Sequence, residues 1–484
     1  MNRQPWIRLL PALAFVAATP ALWGSAFAIN ELGTRAQGMG GAFTAIADDG
    51  SALFFNPAGI AFQKGWQFQM DNMAVIGQFR FIPSDPPPGQ QIPEKGFHGS
   101  VKPKFIPVAS LYMTKDLTKR WSFGFAGYSP FGLASNFTNF NDGDPANTKY
   151  PGRFVGTRAK LLSLWMQPTF AFKLTENSAI AGGIAFVHTY IFLEQSILNP
   201  YDVDNPNQLS LDLARAVFPG QDPRLAYRSF ARLLPEGRLR AAATANSPGF
   251  SLGWLHKVPD KKFQVGLMWR SAVVNHLRGK ASFAFNRDGA LLPFLPSDRG
   301  LDVLFPNQDI GGNFVTPGTF VAGVSTTAIP KTTLAFDARL QDFRRFVDFP
   351  INFTKNVDAK GRPTATEAEQ RLNFNFRNSI LLHAGMERQL NERTWIRAGY
   401  AYDRSPVVDE SVGPLFPDNN RHNFTVGATR RVGSVEFSMF YQAMQMVNRT
   451  VNVPANRNDF TNGNYNNFVH LAGAGLRIVM GQPK

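Results

Sequence analysis

From residue 66 to the end of the chain, apolar side chains recur at every second position in segment after segment. Phe263, Val265, Leu267 and Trp269 alternate with Gln264, Gly266, Met268 and Arg270. Phe250, Leu252 and Trp254 alternate with Ser251, Gly253 and Leu255, and the runs Phe424-Val426-Ala428 and Val435-Phe437-Met439 repeat the pattern. Successive side chains of a strand point to opposite faces, so each segment has one apolar face and one that is glycine, polar or mixed. The connections alternate too. Short ones at 114–120, 174–177, 257–261, 328–331, 391–393 and 431–433 separate long ones at 82–103, 131–157, 195–246, 286–317, 346–373, 405–421 and 449–466. Short turns on one rim and long loops on the other predict an all-β fold, a transmembrane antiparallel β-barrel. The count is about fourteen strands if 264–285 is one long strand passing through 271–276, which also satisfies the even number of such barrels.

Composition fits this wall. Mean hydropathy is slightly negative, and no segment beyond the leader approaches the ~20 apolar residues of a spanning helix. Aromatics nevertheless make up 13% of the chain, with 44 Phe, as expected where lipid-facing and lumen-facing residues average out. There is no Cys, which excludes disulfides and thiolate metal sites. The formal charge of +15 is dispersed without a Lys/Arg-rich run, so it reads as lumen and loop charge and not as a nucleic-acid surface. The seven His are scattered, with neither H-E-x-x-H nor G-x-S-x-G. No enzymatic activity, cofactor or metal is expected. A barrel lipase using His188 or His276 is the enzymatic alternative, and a structural or adhesion barrel is a third class.

The N-terminus reads differently. Arg3 and Arg8 precede an apolar stretch at 9–22, broken by Pro11 and Pro20 and followed by Ala26-Phe27-Ala28. This is the form of a secretory signal, residues 1–28, with the mature chain starting at Ile29. Residues 29–64 are rich in Gly and Ala and end in Asn56-Pro57-Ala58-Gly59. A small-residue segment before a large β body, 65–484, predicts a plug inside the barrel. Gly38-Met39-Gly40-Gly41 lacks the preceding strand and the Lys-Ser/Thr of a nucleotide loop.

Residues 38–59, GMGGAFTAIADDGSALFFNPAG, resemble the N-terminal signature of the FadL family of outer-membrane long-chain fatty acid and hydrocarbon channels, including the TodX-like members. The resemblance continues at Ser129-Pro130-Phe131-Gly132-Leu133, Pro151-Gly152-Arg153-Phe154, Trp269-Arg270-Ser271 and Tyr402-Asp403-Arg404-Ser405-Pro406-Val407, then at Pro417-Asp418 and Arg421, and so covers nearly the whole mature chain. It departs at the C-terminus, where Met480-Gly481-Gln482-Pro483-Lys484 replaces a closing aromatic residue.

The resemblance implies a fourteen-stranded barrel with an N-terminal hatch and passive transport without nucleotide or metal. Hydrophobic compounds, long-chain fatty acids before aromatic or alkane hydrocarbons, are captured on outer loops. They pass to a lumen pocket and leave sideways through a gap beside a kinked third strand. The gate residues are then Asn56, Pro57, Ala58 and Gly59, and the gap residues Gly124, Gly127 and Tyr128. Gly124, Gly127 and Pro130 also weaken strand pairing on physical grounds. Apolar sets in the two longest middle loops suit ligand capture: Leu209, Leu213, Val217, Phe230 and Leu233 in 195–246, and Leu291, Leu292, Phe294, Leu295, Leu304 and Phe305 in 286–317. A carboxylate ligand would want a buried cation, and Arg153, Arg158, Lys160, Arg270 and Arg397 are the candidates. The expected surroundings are outer-membrane lipid and lipopolysaccharide, and the expected state is a monomer.

Overall fold

The computed structural model describes residues 26–84, 99–101, 105–137, 151–197, 211, 214–215, 218–230, 237–285, 305–354, 356–357, 363–364, 368–413, 415–454 and 461–481. Fourteen antiparallel strands form one closed wall. In chain order they are β1 (Trp66–Pro83), β2 (Phe105–Asp116, preceded by Gly99–Val101), β3 (Trp121–Asn136), β4 (Arg158–Thr175), β5 (Ser178–Ile197) and β6 (Gly237–Val258). Then come β7 (Phe263–Arg270 and Val273–Phe285), β8 (Gln308–Thr316 and Thr319–Thr326), β9 (Thr332–Gln341 and Asp348–Phe353) and β10 (Ala368–Asn373 and Ser379–Asn391). The last four are β11 (Thr394–Asp403), β12 (Arg421–Val432), β13 (Val435–Met446 and Arg449–Val451) and β14 (Gly463–Met480). β1 pairs with β14 from Trp66↔Met480 to Pro83↔Gly463, which closes the barrel.

The period-two reading places the faces correctly. Leu252, Trp269, Phe424, Val426, Phe437 and Met439 are exposed on the outside, while Ser251, Met268, Arg270 and Thr425 between them are buried. β7 is broken at Ser271-Ala272 beside a matching break at Pro317-Gly318 of β8, yet both halves of each strand stay in the wall. The expected short turns are all present, with left-handed residues where the chain reverses tightly, at Lys262, Lys331 and Gly433.

The long loops are shorter than the sequence suggests. β5 runs to Ile197, β6 begins at Gly237, and β8 begins at Gln308, so parts of 195–246 and 286–317 are wall. Polar alternation in Arg238, Arg240 and Thr244 hides these strand ends, because a barrel wall above the apolar belt need not be apolar outside. β3 likewise continues through Pro130 to Asn136 by absorbing a register shift between Tyr128 and Phe131.

Candidate functional site

Residues 26–62 are almost wholly buried, and their bonds reach strands on several sides of the wall. Asp337 of β9 accepts from the amides of Phe43 and Thr44 at 2.9 and 2.8 Å. His383 of β10 donates to the Gly40 carbonyl at 2.7 Å. Arg35 and Arg397 of β11 share Glu387 of β10, at 2.9 and 2.6 Å. Inward glycines let the backbone approach this closely: a Cβ at Gly399 would lie 2.2 Å from Gly40 N, and one at Gly385 would lie 2.3 Å from Met39 O.

Asn56-Pro57-Ala58-Gly59 ties this segment to itself and to the wall. Asn56 caps the short 3-10 helix Pro57–Phe62 by accepting from Ala58 N, and its side-chain amide donates to Thr44 O and Trp254 O, both at 2.9 Å. A Cβ at Gly59 would stand 1.9 Å from Ala47 O. A Cβ at Gly253 of β6 would meet Asn56 and Pro57, so these two residues face β6 and β7 and do not face Gly127. At Gly124 the segment meets β3 through Leu53 and Ile60, 2.6 and 3.2 Å from a Cβ placed there. Around a Cβ at Gly127 there is open space.

β3 carries the main irregularity of the wall. Among the described residues, the β2–β3 ladder stops at Leu111↔Gly127. Above it, β2 stays paired with β1 as far as Phe105, while β3 stays with β4 as far as Asn136. The two strands therefore diverge from Tyr128 upward. The N-terminal segment bonds to β3 there: Ile29 N donates to Pro130 O, and Gly132 N donates to Phe27 O, both at 2.8 Å, with an antiparallel bridge from Ala28 to Phe131.

Phe27 is fully buried. Its ring centroid lies 5.3–6.0 Å from those of Phe131, Phe314, Phe343, Phe346 and Phe416. Beside this cluster is an apolar cavity of about 50 Å³ lined by residues including Leu133, Leu161, Leu193, Phe314, Phe346 and Phe374. A second apolar hollow shares Ile191, Leu193 and Phe349 with it.

The candidate cations separate. In β4, Ala159, Leu161, Ser163 and Trp165 are the buried set, so Arg158 and Lys160 fall on the other face. Arg158 lies 3.8 Å from Glu194, and Lys160 sits 5.9 Å over the Phe192 ring. Neither points into the lumen, because alternation moves every second residue to the outside. Arg153 is buried and stacks 4.5 Å from the Phe154 ring. Arg397 is committed to Glu387. Arg270 is buried, donates to the Phe54 carbonyl at 2.7 Å and lies over the rings of Phe54, Tyr128 and Trp165 at 4.4, 5.6 and 5.7 Å. Sequence reasoning missed Arg339, also buried, which donates to Asn30 Oδ1 at 2.6 Å. The alternation of Leu334, Phe336, Ala338 and Leu340 with Ala335, Asp337, Arg339 and Gln341 would have placed it inside.

Of the capture-loop residues, Leu209, Leu213, Val217, Leu233, Leu291, Leu292, Phe294, Leu295 and Leu304 lie outside the described residues. Phe230 ends the helix Pro223–Phe230. Phe305 is buried against Phe283 and Phe285. His188 and His276 each pair with an asparagine on the outer face, Asn246 and Asn313, both at 2.8 Å. No cluster of metal-binding residues occurs among the described residues.

A closed barrel with an apolar outer belt, a segment tied to its inward residues and a local split in the wall defines an outer-membrane β-barrel channel. The chain belongs to the outer membrane protein transport protein family (OMPP1/FadL/TodX), whose model it matches over residues 14–474, and is thus a member of a family of outer-membrane transporters of hydrophobic compounds. It is 21% identical to the long-chain fatty acid transport protein of Escherichia coli K12 over 447 residues, covering 90% of this chain and 92% of that one. The fold is shared with a FadL homologue of Pseudomonas aeruginosa (TM-score 0.73, 17% identity, 94% and 100% of the two chains). It is also shared with the toluene transporter TodX of Pseudomonas putida (TM-score 0.64, 18% identity, 93% and 98%).

Proposed function

We propose that this protein takes up long-chain fatty acids passively, as a monomer set in outer-membrane lipid and lipopolysaccharide, without cofactor or catalysis. Ligand is captured on the apolar outer loops, moves into the aromatic cavity beside Phe27, and leaves through the wall between β2 and β3. The buried N-terminal segment acts as the hatch that blocks the vertical path. The observation that carries this reading is the end of the β2–β3 ladder at Leu111↔Gly127, next to an apolar interior. A hydrophobic route suffices energetically, since each CH₂ taken from water contributes about 0.8 kcal/mol. Uptake of radiolabelled oleate into proteoliposomes holding the purified protein is the test. Saturable uptake without chemical change of the oleate is expected, and uptake no faster than in empty liposomes would refute it.

A second reading, transport of neutral aromatic or alkane hydrocarbons, is favoured by one feature: the lining of the cavity is almost entirely apolar, and Lys160, the one cation bordering it among the described residues, sits over Phe192 on the outer face. The same assay with labelled hexadecane or toluene separates the two.

A further inference from the structure

The outer face of β4–β7 changes character with height. Near the middle of the wall its exposed side chains are apolar, Phe186, Phe250, Leu252 and Val274 among them. Two polar cross-strand pairs end that belt, His188 with Asn246 and His276 with Asn313, each at 2.8 Å. Above them, towards the long-loop rim, the outward positions turn basic: Arg158 and Lys160 of β4, Arg238 and Arg240 of β6, and Arg278 and Lys280 of β7.

The strand register sets these cations in rows. Lys160, Phe192, Ala242 and Lys280 lie side by side across the four strands. Three strand spacings of about 4.8 Å put the two lysine backbones roughly 14 Å apart, with an apolar step between them. The next row up holds Arg158, Glu194 and Arg240. Glu194 is buried between the two arginines, 3.8 Å from Arg158 and 2.7 Å from Arg240, yet their side chains stay 42% and 51% exposed. The carboxylate holds the arginines in place without covering them. Asp309 of β8 stands across from Lys280 in register, but Arg238, Arg278 and Lys280 make no ion pair among the described residues. The upper ends of β12–β14 instead turn His422, Gln445, Asn464 and Asn466 outward, so positive charge gathers on one flank of the barrel.

Height says what that flank meets. With a rise of about 3.3 Å per residue and a strand tilt of about 40°, Arg278 and Arg240 stand roughly 25–35 Å above Trp254, level with the headgroups that cap a hydrocarbon core of about 30 Å. Exposed cations in bulk water need no partner, but at this level they face lipid headgroups, and anionic ones are attracted. We propose that the outer face of β4–β7 is a binding site for the phosphorylated lipid of the outer leaflet, lipopolysaccharide. Its headgroup phosphates are taken by Lys160, Lys280, Arg240 and Arg278, and its acyl chains lie against Phe186, Phe250 and Leu252 below. Charge-assisted hydrogen bonds from ammonium and guanidinium groups suit phosphate oxygens, and the spacing of the two lysines suits a headgroup carrying two separate phosphates. The site needs only the barrel's place in the outer membrane and stands whatever the channel carries.

The test is native mass spectrometry of the full-length protein in detergent micelles, titrated with diphosphoryl lipid A or with its dephosphorylated form, equal in acyl chains. Wild type is expected to bind the phosphorylated lipid about tenfold or more tightly than the other. Combining Arg240→Gln, Arg278→Gln and Lys280→Gln should remove most of that preference, whereas Arg80→Gln, on the outer face of β1, should keep it. A second readout needs no variant: in wild type, diphosphoryl lipid A should slow amine labelling of Lys160 and Lys280 and leave that of Lys262 and Lys331, on the short turns, unchanged. Equal affinity of wild type for the two lipids overturns the site. So does a preference that survives the triple substitution or is lost equally in Arg80→Gln, and so does labelling slowed alike at both rims.

Discussion

Leu111 and Gly127 are the last pair joining β2 to β3. Beyond them the strands keep their other partners and part from each other, so the split costs no loose strand. Phe27 and Ile29 of the N-terminal segment meet part of the freed β3 edge, which limits the unpaired backbone left inside the wall.

The burial of Phe27 bears on processing. A cut after Ala28 would remove a ring packed against five others and the carbonyl that accepts from Gly132. Gly24 and Ala26 are also small residues two apart, the form a signal peptidase requires. N-terminal sequencing of the mature protein is expected to begin at Phe27 or upstream of it. A start at Ile29 would contradict this.

Asp337 anchors the segment by accepting two buried amides. Asp337→Ala strands the N–H groups of Phe43 and Thr44, at roughly 1–3 kcal/mol for each buried group left unsatisfied. Hydrogen exchange across 40–47 should accelerate markedly, while the strand amides of β9 stay protected. Asp337→Asn keeps an acceptor and should change exchange less.

Glu31 makes the docking of the segment pH-dependent. Burial raises its carboxyl from 4.5 to about 7, partly opposed by Arg421 and reinforced by Asp403. The docked state therefore holds its proton where a solvated Glu31 has lost it. Docking is strongest below about pH 4.5 and weakens as pH rises towards 7, by up to ~3 kcal/mol. Exchange protection of residues 26–36, corrected for intrinsic rates, should fall between pH 5 and pH 8 in wild type. In Glu31→Gln the fall should be much smaller, and a wild-type profile no steeper than the variant's would refute the assignment.

The wall was legible because alternation is a local property. Phe263 to Trp269 or Phe424 to Ala428 declare their faces within a few residues, and six short turns fix the strand count. The same rule applied along β4 would have put Arg158 and Lys160 outside, and along β9 it would have put Arg339 inside. What could not be read locally is which wall a buried segment meets. Asn56 binds Trp254, 198 residues away, and no spacing in either stretch records that contact. The inward glycines, Gly253 and Gly266 among them, were visible as gaps in the polar face, but only the fold shows that they admit Asn56 and Thr44. Strand ends were misplaced wherever the wall leaves the apolar belt, since polar strand and polar loop look alike in sequence.

Lateral release between β2 and β3 is tested at Gly127. Gly127 shares the outer face with its exposed partner Leu111 and has room for a side chain there, so Gly127→Trp should cover the outer mouth of the gap while the barrel still folds, as judged by heat-modifiable migration on gels. The measurement is the initial rate of oleate uptake into proteoliposomes by wild type and Gly127→Trp at equal reconstituted protein. A fall of about tenfold or more is expected, an added barrier of about 1.4 kcal/mol or above. An unchanged rate in the folded variant would contradict it.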